Sequence, residues 1–210
     1  MKRLELSDLL DLIEYERQRE TFRDHIIEHK RPRRIGVGDH LTFVFEDRDS
    51  MRFQVQEMVR AERIVDEAAV QAELDVYNEL LPGDAELSAT LMIEIPQSSQ
   101  IRSELDRLIG VDEHVSLEVG SEKVQASFDP KQFEQERISA VQYVRFALGP
   151  ELSKRFTDPT LSVRLRVDHP NYRACTELSP ESRASLARDL GQGDEPRASG
   201  TSARATRLRP

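Results

Sequence analysis

The chain has 210 residues, of which 38% are hydrophobic and 33% charged, with a net charge of −9 and a pI near 5.2. That balance excludes a bulk nucleic-acid binder, because gripping phosphates takes clustered positive charge. It points to a soluble, bacterial-type cytoplasmic protein with part of its length too polar to fold. The single cysteine, Cys175, excludes an internal disulfide, a cysteine-based metal knuckle and an iron–sulfur cluster held by this chain alone.

The opening MKRLELSDLLDLIEY is interrupted by Asp8, Asp11 and Glu14, so it reads as neither a signal peptide nor a membrane span. Residues 7–31 read as one helix. Ser7 is its expected N-cap, Asp8 and Asp11 favour the dipole, Leu9, Leu12, Ile13, Phe22 and Ile26 recur at helical spacing, and Pro32 ends it. Between Ile13 and Phe22 the run EYERQRET holds almost nothing apolar, so that stretch either crosses solvent or faces a polar site. Next come HLTFVFE and MRFQVQE, joined by DRDS. Phe43, Phe45, Phe53 and Val55 alternate with polar residues there, which predicts a β-hairpin. Residues 57–80 predict a helix with a break, stopped by LPGD at 81–84.

ELSATLMIEI, residues 86–95, alternates as a strand with Leu87, Ala89, Leu91 and Ile93 on one face and Ser88, Thr90, Met92 and Glu94 on the other. A helix over 97–109 follows, then a hairpin of HVSLEVG and KVQASFD around GSE, a short helix over 130–136, and the long strand ISAVQYVRFAL. GPELSKRF reads as a helical turn and LSVRLRVDH as the last strand. From Thr176 the chain is rich in Ser, Gly, Pro, Ala and charge. It predicts a disordered tail over 176–210, with ESRASLARDL at most a transient helix. The expected fold is α+β: one domain over 1–175 with a leading helix, a mostly antiparallel sheet of about seven strands, and packed helices.

Taken together, YERQRETFRDHIIEHKRPRRIGVGDHLTFVFEDRDSMRFQVQEMVRAERI and YNELLPGDAELSATLMIEI resemble a family of uncharacterised bacterial proteins, a domain of unknown function of about two hundred residues. The resemblance covers residues 1–172 and is sharpest at LLPGDAELSATLMIE and at FEDR with FQVQEM. Genes of that family neighbour a rubrerythrin-like protein and an iron–sulfur protein of the heterodisulfide-reductase type. The resemblance therefore implies a redox or oxidative-stress setting and an accessory role beside such a partner. It implies no activity and no catalytic residues.

Within DHIIEHK, residues 24–30, His25 and His29 are four apart with Glu28 between them, so on a helix they share one face. The spelling HIIEH matches the inverted zinc-peptidase motif, and this donor set suits zinc or non-haem iron. Against it, His29, Lys30 and Arg31 also fit the positive last turn of a helix, favoured by about 0.3–1 kcal/mol each. Glu16, Glu20 and Asp24 interleave with Arg17, Arg19 and Arg23 as a salt-bridged face, and the ferritin-like Glu-x-x-His pair is absent. Arg17, Arg19, Glu20 and Arg23 are the expected partner contacts, with reversal of Arg19 and Arg23 expected to weaken capture. KRPRR reads as a solvated loop, GVGDH as a turn without a nucleotide fingerprint, and Cys175 as a passive surface thiol. Glu94, His169 and Tyr172 form a second candidate site at strand ends. Two functions follow: an accessory or binding protein for a redox partner, with no nucleic acid or membrane involved, or a metal-dependent enzyme built on His25, Glu28 and His29. The first is preferred, because no complete catalytic set assembles from the sequence.

Overall fold

The computed structural model describes residues 1–129, 133–134 and 137–191. The first long helix, α1 (Leu12–Lys30), starts later than the expected Ser7. Asp11 is its cap, accepting from the N–H groups of Ile13 and Glu14 at 2.9 Å each, while Leu6–Asp8 form a separate 3-10 turn. A second 3-10 turn, Arg31–Arg33, leads through Pro32 into β1 (Arg34–Val37) and β2 (Leu41–Glu46). Gly38 turns between these strands at φ +69°, and any Cβ there would strike the Tyr172 hydroxyl.

The expected second hairpin strand, MRFQVQE, is instead part of a helix, α2 (Arg48–Glu62). Asp47 accepts from the Ser50 N–H and the Ser50 hydroxyl accepts from the Asp47 N–H, both at 2.9 Å, so DRDS is a capping box rather than a β-turn. Met51, Val55 and Val59 are buried at every fourth position, and that period outweighs the apparent alternation of Phe53 and Val55. Arg63, in the left-handed region at φ 54°, ends α2, and Asp66 caps α3 (Glu67–Asn78). The helix expected over 57–80 is therefore two helices.

Beyond them run β3 (Glu86–Ile93), α4 (Ile101–Arg107), β4 (Val115–Val119), β5 (Glu122–Gln125), β6 (Ser127–Phe128), β7 (Phe133–Glu134), β8 (Arg137–Ile138), β9 (Val141–Ala147), α5 (Gly149–Phe156), β10 (Val163–His169), β11 (Tyr172–Glu177) and α6 (Pro180–Asp189). One sheet has five strands in the order β1-β2-β3-β9-β6, another four in the order β11-β10-β4-β5, and β7 pairs with β8 alone. The fold is α+β as expected, but nine strands in two antiparallel sheets replace the single sheet of about seven. The helix expected over 130–136 meets a strand at Phe133–Glu134; residues 130–132 and 135–136 lie outside the described residues.

Only Ala126 separates β5 from β6, so the chain leaves one sheet and enters the other there. Across the molecule, β11 lies along β1. The Tyr172 hydroxyl donates to Val37 O at 2.6 Å and accepts from the His40 N–H at 3.1 Å, and the Thr176 hydroxyl donates to Gly36 O at 2.7 Å. The facing sheets share one core, with Phe43, Phe45, Leu87, Leu91 and Phe146 from one and Leu117, Val163 and Leu165 from the other. The helical layer rests on a separate, smaller core of Leu4, Met51, Val55, Val59, Leu74 and Leu81.

Disorder expected from Thr176 does not hold over 176–191. Ser179 caps α6, accepting from the Ser182 N–H at 3.0 Å, and Leu178, Leu186 and Leu190 enter the main core. Large apolar residues are few here, but they are spaced four and eight apart, and the small Ser182, Ser185 and Ala187 let the helix sit close. Residues 192–210 lie outside the described residues. No helix of the described residues is long and apolar enough to cross a membrane.

Candidate functional site

Two polar side-chain contacts join the end of α1 to the junction of β2 and α2. His29 Nε2 lies 2.6 Å from Asp47 Oδ2, and Lys30 Nζ lies 3.4 Å from Glu46 Oε2. Glu46, 6% exposed at its side chain, also accepts from the Ser50 hydroxyl at 2.7 Å and the Thr90 hydroxyl at 2.8 Å. Between the pairs sits Arg33, fully buried. It donates Nε to Phe45 O at 2.9 Å, Nη2 to Glu46 O at 3.2 Å and Nη1 to the Ser185 hydroxyl at 3.2 Å. Its charge is met by Asp47 at 3.3 Å and by Asp189, the last residue of α6. KRPRR is therefore not wholly a solvated loop: the 3-10 turn made with Pro32 sends Arg33 inward, where every face of the guanidinium finds an acceptor.

The two carboxylates sharing Arg33 titrate apart. Burial alone would raise Asp47, but the hydrogen bond with His29 and the Arg33 charge outweigh it and hold Asp47 well below the usual carboxylate range. For Asp189, burial wins over the attraction of Arg33, and with the nearby charge of Asp47 it pushes the group up to about 6.

DHIIEHK contributes only part of itself to this cluster. His29 is turned to Asp47, His25 is exposed and stacks on the His29 ring at 6.3 Å between centroids, and Glu28 points outward to Arg31 at 3.6 Å. Among the described residues no group of three or more His, Cys, Asp or Glu is placed to hold a metal ion. The polar gap of α1 is equally specific. Arg19 forks onto Glu57 with two hydrogen bonds of 2.7 Å, Tyr15 donates to the same carboxylate at 2.6 Å, and Arg60 of α2 reaches back to Glu16 at 2.6 Å. EYERQRET thus faces α2, and Arg19 is held inside that interface.

Arg23 differs. It is exposed, with no ion pair among the described residues. With Ile27, Arg31, Arg34 and Phe53 it lines a surface groove of about 470 Å³. Ile27 is 51% exposed there.

Glu94, His169 and Tyr172 do not form one site. Glu94 pairs with Arg34 at 2.7 Å and accepts from the Thr42 hydroxyl at 2.5 Å; that hydrogen bond and the Arg34 charge lower its pKa. His169 is buried, with Nε2 3.0 Å from Ile109 O and Nδ1 accepting from the Asn171 N–H. Tyr172 belongs to the β1–β11 seam. Cys175 is exposed on β11.

The sequence reading did not find a cleft of about 360 Å³ between the outer face of the five-stranded sheet and the helices. Lys30, Glu46, Gln54, Tyr77, Thr90 and Tyr143 bring polar groups to it, and Val44, Met51, Met92 and Val141 supply apolar wall. Its signal was the second face of ELSATLMIEI, where Thr90 and Met92 sit in an otherwise apolar strand.

The family described as Protein of unknown function (DUF3501) matches residues 3–190. A solved structure, described as a novel protein of unknown function from Burkholderia pseudomallei K96243 at 1.90 Å resolution, is 36% identical. The match covers 90% of this chain and 100% of that one, with a TM-score of 0.84. No curated protein matches the chain.

Proposed function

For a chain that belongs to the DUF3501 family over residues 3–190, we propose a non-catalytic accessory role: a binding module that offers α1 to a redox partner, a rubrerythrin-like or iron–sulfur protein. The observation that carries it is the groove of Arg23, Ile27, Arg31, Arg34 and Phe53. An exposed isoleucine ringed by arginines has the composition of a contact surface, because apolar area and arginine together supply most binding energy at interfaces. The ion pairs of Arg31 with Glu28 and Glu181 are both 3.6 Å long and solvent-exposed, so they hold the arginine weakly. On a body of net charge −9, a local arginine cluster selects an acidic partner surface.

A metal-dependent reaction at His25, Glu28 and His29 would need those side chains to converge on one point, whereas His29 is engaged by Asp47 and Glu28 by Arg31. The test is calorimetric titration of the full chain with a purified rubrerythrin-like or iron–sulfur protein from the same genome. The double variant Arg23→Glu, Arg31→Glu should bind at least about tenfold more weakly at low salt, with a smaller difference at high salt. Equal binding by the variant, or no binding by the unaltered chain, overturns the proposal.

A further inference from the structure

We propose that the cleft over the outer face of the five-stranded sheet is a binding site for a planar aromatic ligand carrying a carbonyl oxygen. A sheet face covered by helices is ordinarily filled to close packing. Here the helical layer packs on its own small core instead, and about 360 Å³ stays open between it and Val44, Thr90 and Met92. That volume lies in the range of small-molecule sites, which combine apolar walls with a few convergent polar groups.

The hydrogen-bond inventory decides what polar group fits. Glu46 already accepts from the Ser50 and Thr90 hydroxyls and has the Lys30 ammonium 3.4 Å away. It has little left to offer a ligand donor. Lys30 faces Glu46 as a charge pair, and Arg34 meets Glu94 through Nη2; an ammonium and a guanidinium have further N–H groups beyond these. Lys30 and Arg34 thus bring spare donors to one side of the cleft, which an acceptor oxygen on the ligand would meet. Tyr77 stays a neutral phenol, because burial raises its pKa.

Charge does not choose the ligand. Lys30 is balanced by Glu46 and Arg34 by Glu94, so the local field is weak and a neutral carbonyl serves as well as a carboxylate. The walls select a ring: Met51 and Met92 offer polarisable thioethers, which favour aromatic contact, and the Tyr77 ring adds a flat surface. This reading is independent of the partner groove, although Lys30 and Arg34 border both.

The experiment titrates the full chain against 2-naphthamide and follows the anisotropy of the naphthalene emission; the protein has no tryptophan to obscure it. The expected Kd is about 1 mM or tighter, the range open to a ligand of this size. Val141 is 44% exposed at the rim and lies outside the partner groove. Val141→Phe should narrow the cleft and weaken binding at least about tenfold with the melting temperature held. Lys30→Met should weaken it about tenfold, and naphthalene, which lacks the carbonyl, should bind about tenfold more weakly than the amide. Equal binding of naphthalene and the amide, unchanged binding by Val141→Phe, or no binding up to the solubility limit of the amide overturns the assignment.

Discussion

The sheet sandwich and the helical layer are built on different terms. The sandwich is held by a continuous apolar core in which Phe43, Phe45, Phe146, Leu117 and Leu165 are fully buried. The helical layer has a smaller core and is cross-linked by charge, Arg19 to Glu57 and Arg60 to Glu16 between α1 and α2, while Arg33 fastens its edge to Asp47 and to Asp189 of α6. The difference teaches where each kind of interaction is effective. Non-directional burial closes two large facing surfaces. Directional ion pairs set how one thin layer sits on them, and they leave space that apolar packing would have filled.

Three substitutions break or sharpen that contrast. The largest effect should come from Phe146→Ala, which empties the centre of the sandwich and should cost about 3–5 kcal/mol. Chemical denaturation would show it, and a loss under about 1 kcal/mol would mean that the sandwich does not depend on this ring.

Next comes the pH response of the Arg33 cluster. The folded pKa of Asp189, about 6, lies above its ordinary 3.8. Its stabilising contribution is therefore fully present below the ordinary value and is lost as pH rises through about 6. The loss should be on the order of 2–3 kcal/mol, and Asp189→Asn should abolish that decline. Asp47 acts in the opposite sense: its folded pKa is depressed, so its contribution is lost only as pH falls below the usual carboxylate range. Parallel stability profiles for the unaltered chain and Asp189→Asn between pH 3.8 and about 6 would disprove the separation of the two groups.

The smallest effect belongs to the α1–α2 interface. Arg19 is 30% exposed and Glu57 24%, so solvent screens the pair. Arg19→Met should lower the melting temperature only slightly, because solvent screens the pair and the methionine keeps the packing of the stem. A loss as large as that of Phe146→Ala would show that charge, rather than burial, is the dominant support of the whole molecule.

How much of this was legible depends on the range of the signal. Leu87, Ala89, Leu91 and Ile93 alternate within one strand, and β3 reads off the sequence directly. Phe53 and Val55 alternate as well, yet their helix is decided by Asp47 with Ser50 and by Met51, Val55 and Val59, a competing local pattern that a turn-like DRDS hid. Helix α6 was masked by composition: averaging Leu186 and Leu190 with the Ser- and Gly-rich residues around them concealed their spacing. The Arg33 cluster was out of reach for a different reason. Its partner Asp189 lies 156 residues away, and nothing in KRPRR distinguishes the one arginine that turns inward. His25, Glu28 and His29 show the converse, a compelling local spelling whose side chains are drawn apart, His29 by Asp47 and Glu28 by Arg31.

The seam between β1 and β11 bears on self-association. An open sheet edge offers its carbonyls to any stray strand and so invites aggregation. Here the hydroxyls of Tyr172 and Thr176 already occupy the carbonyls of Val37 and Gly36, while at the opposite side β5 runs straight on into β6. Two side-chain oxygens thus blunt as a polymerisation template an edge that the backbone itself leaves unpaired.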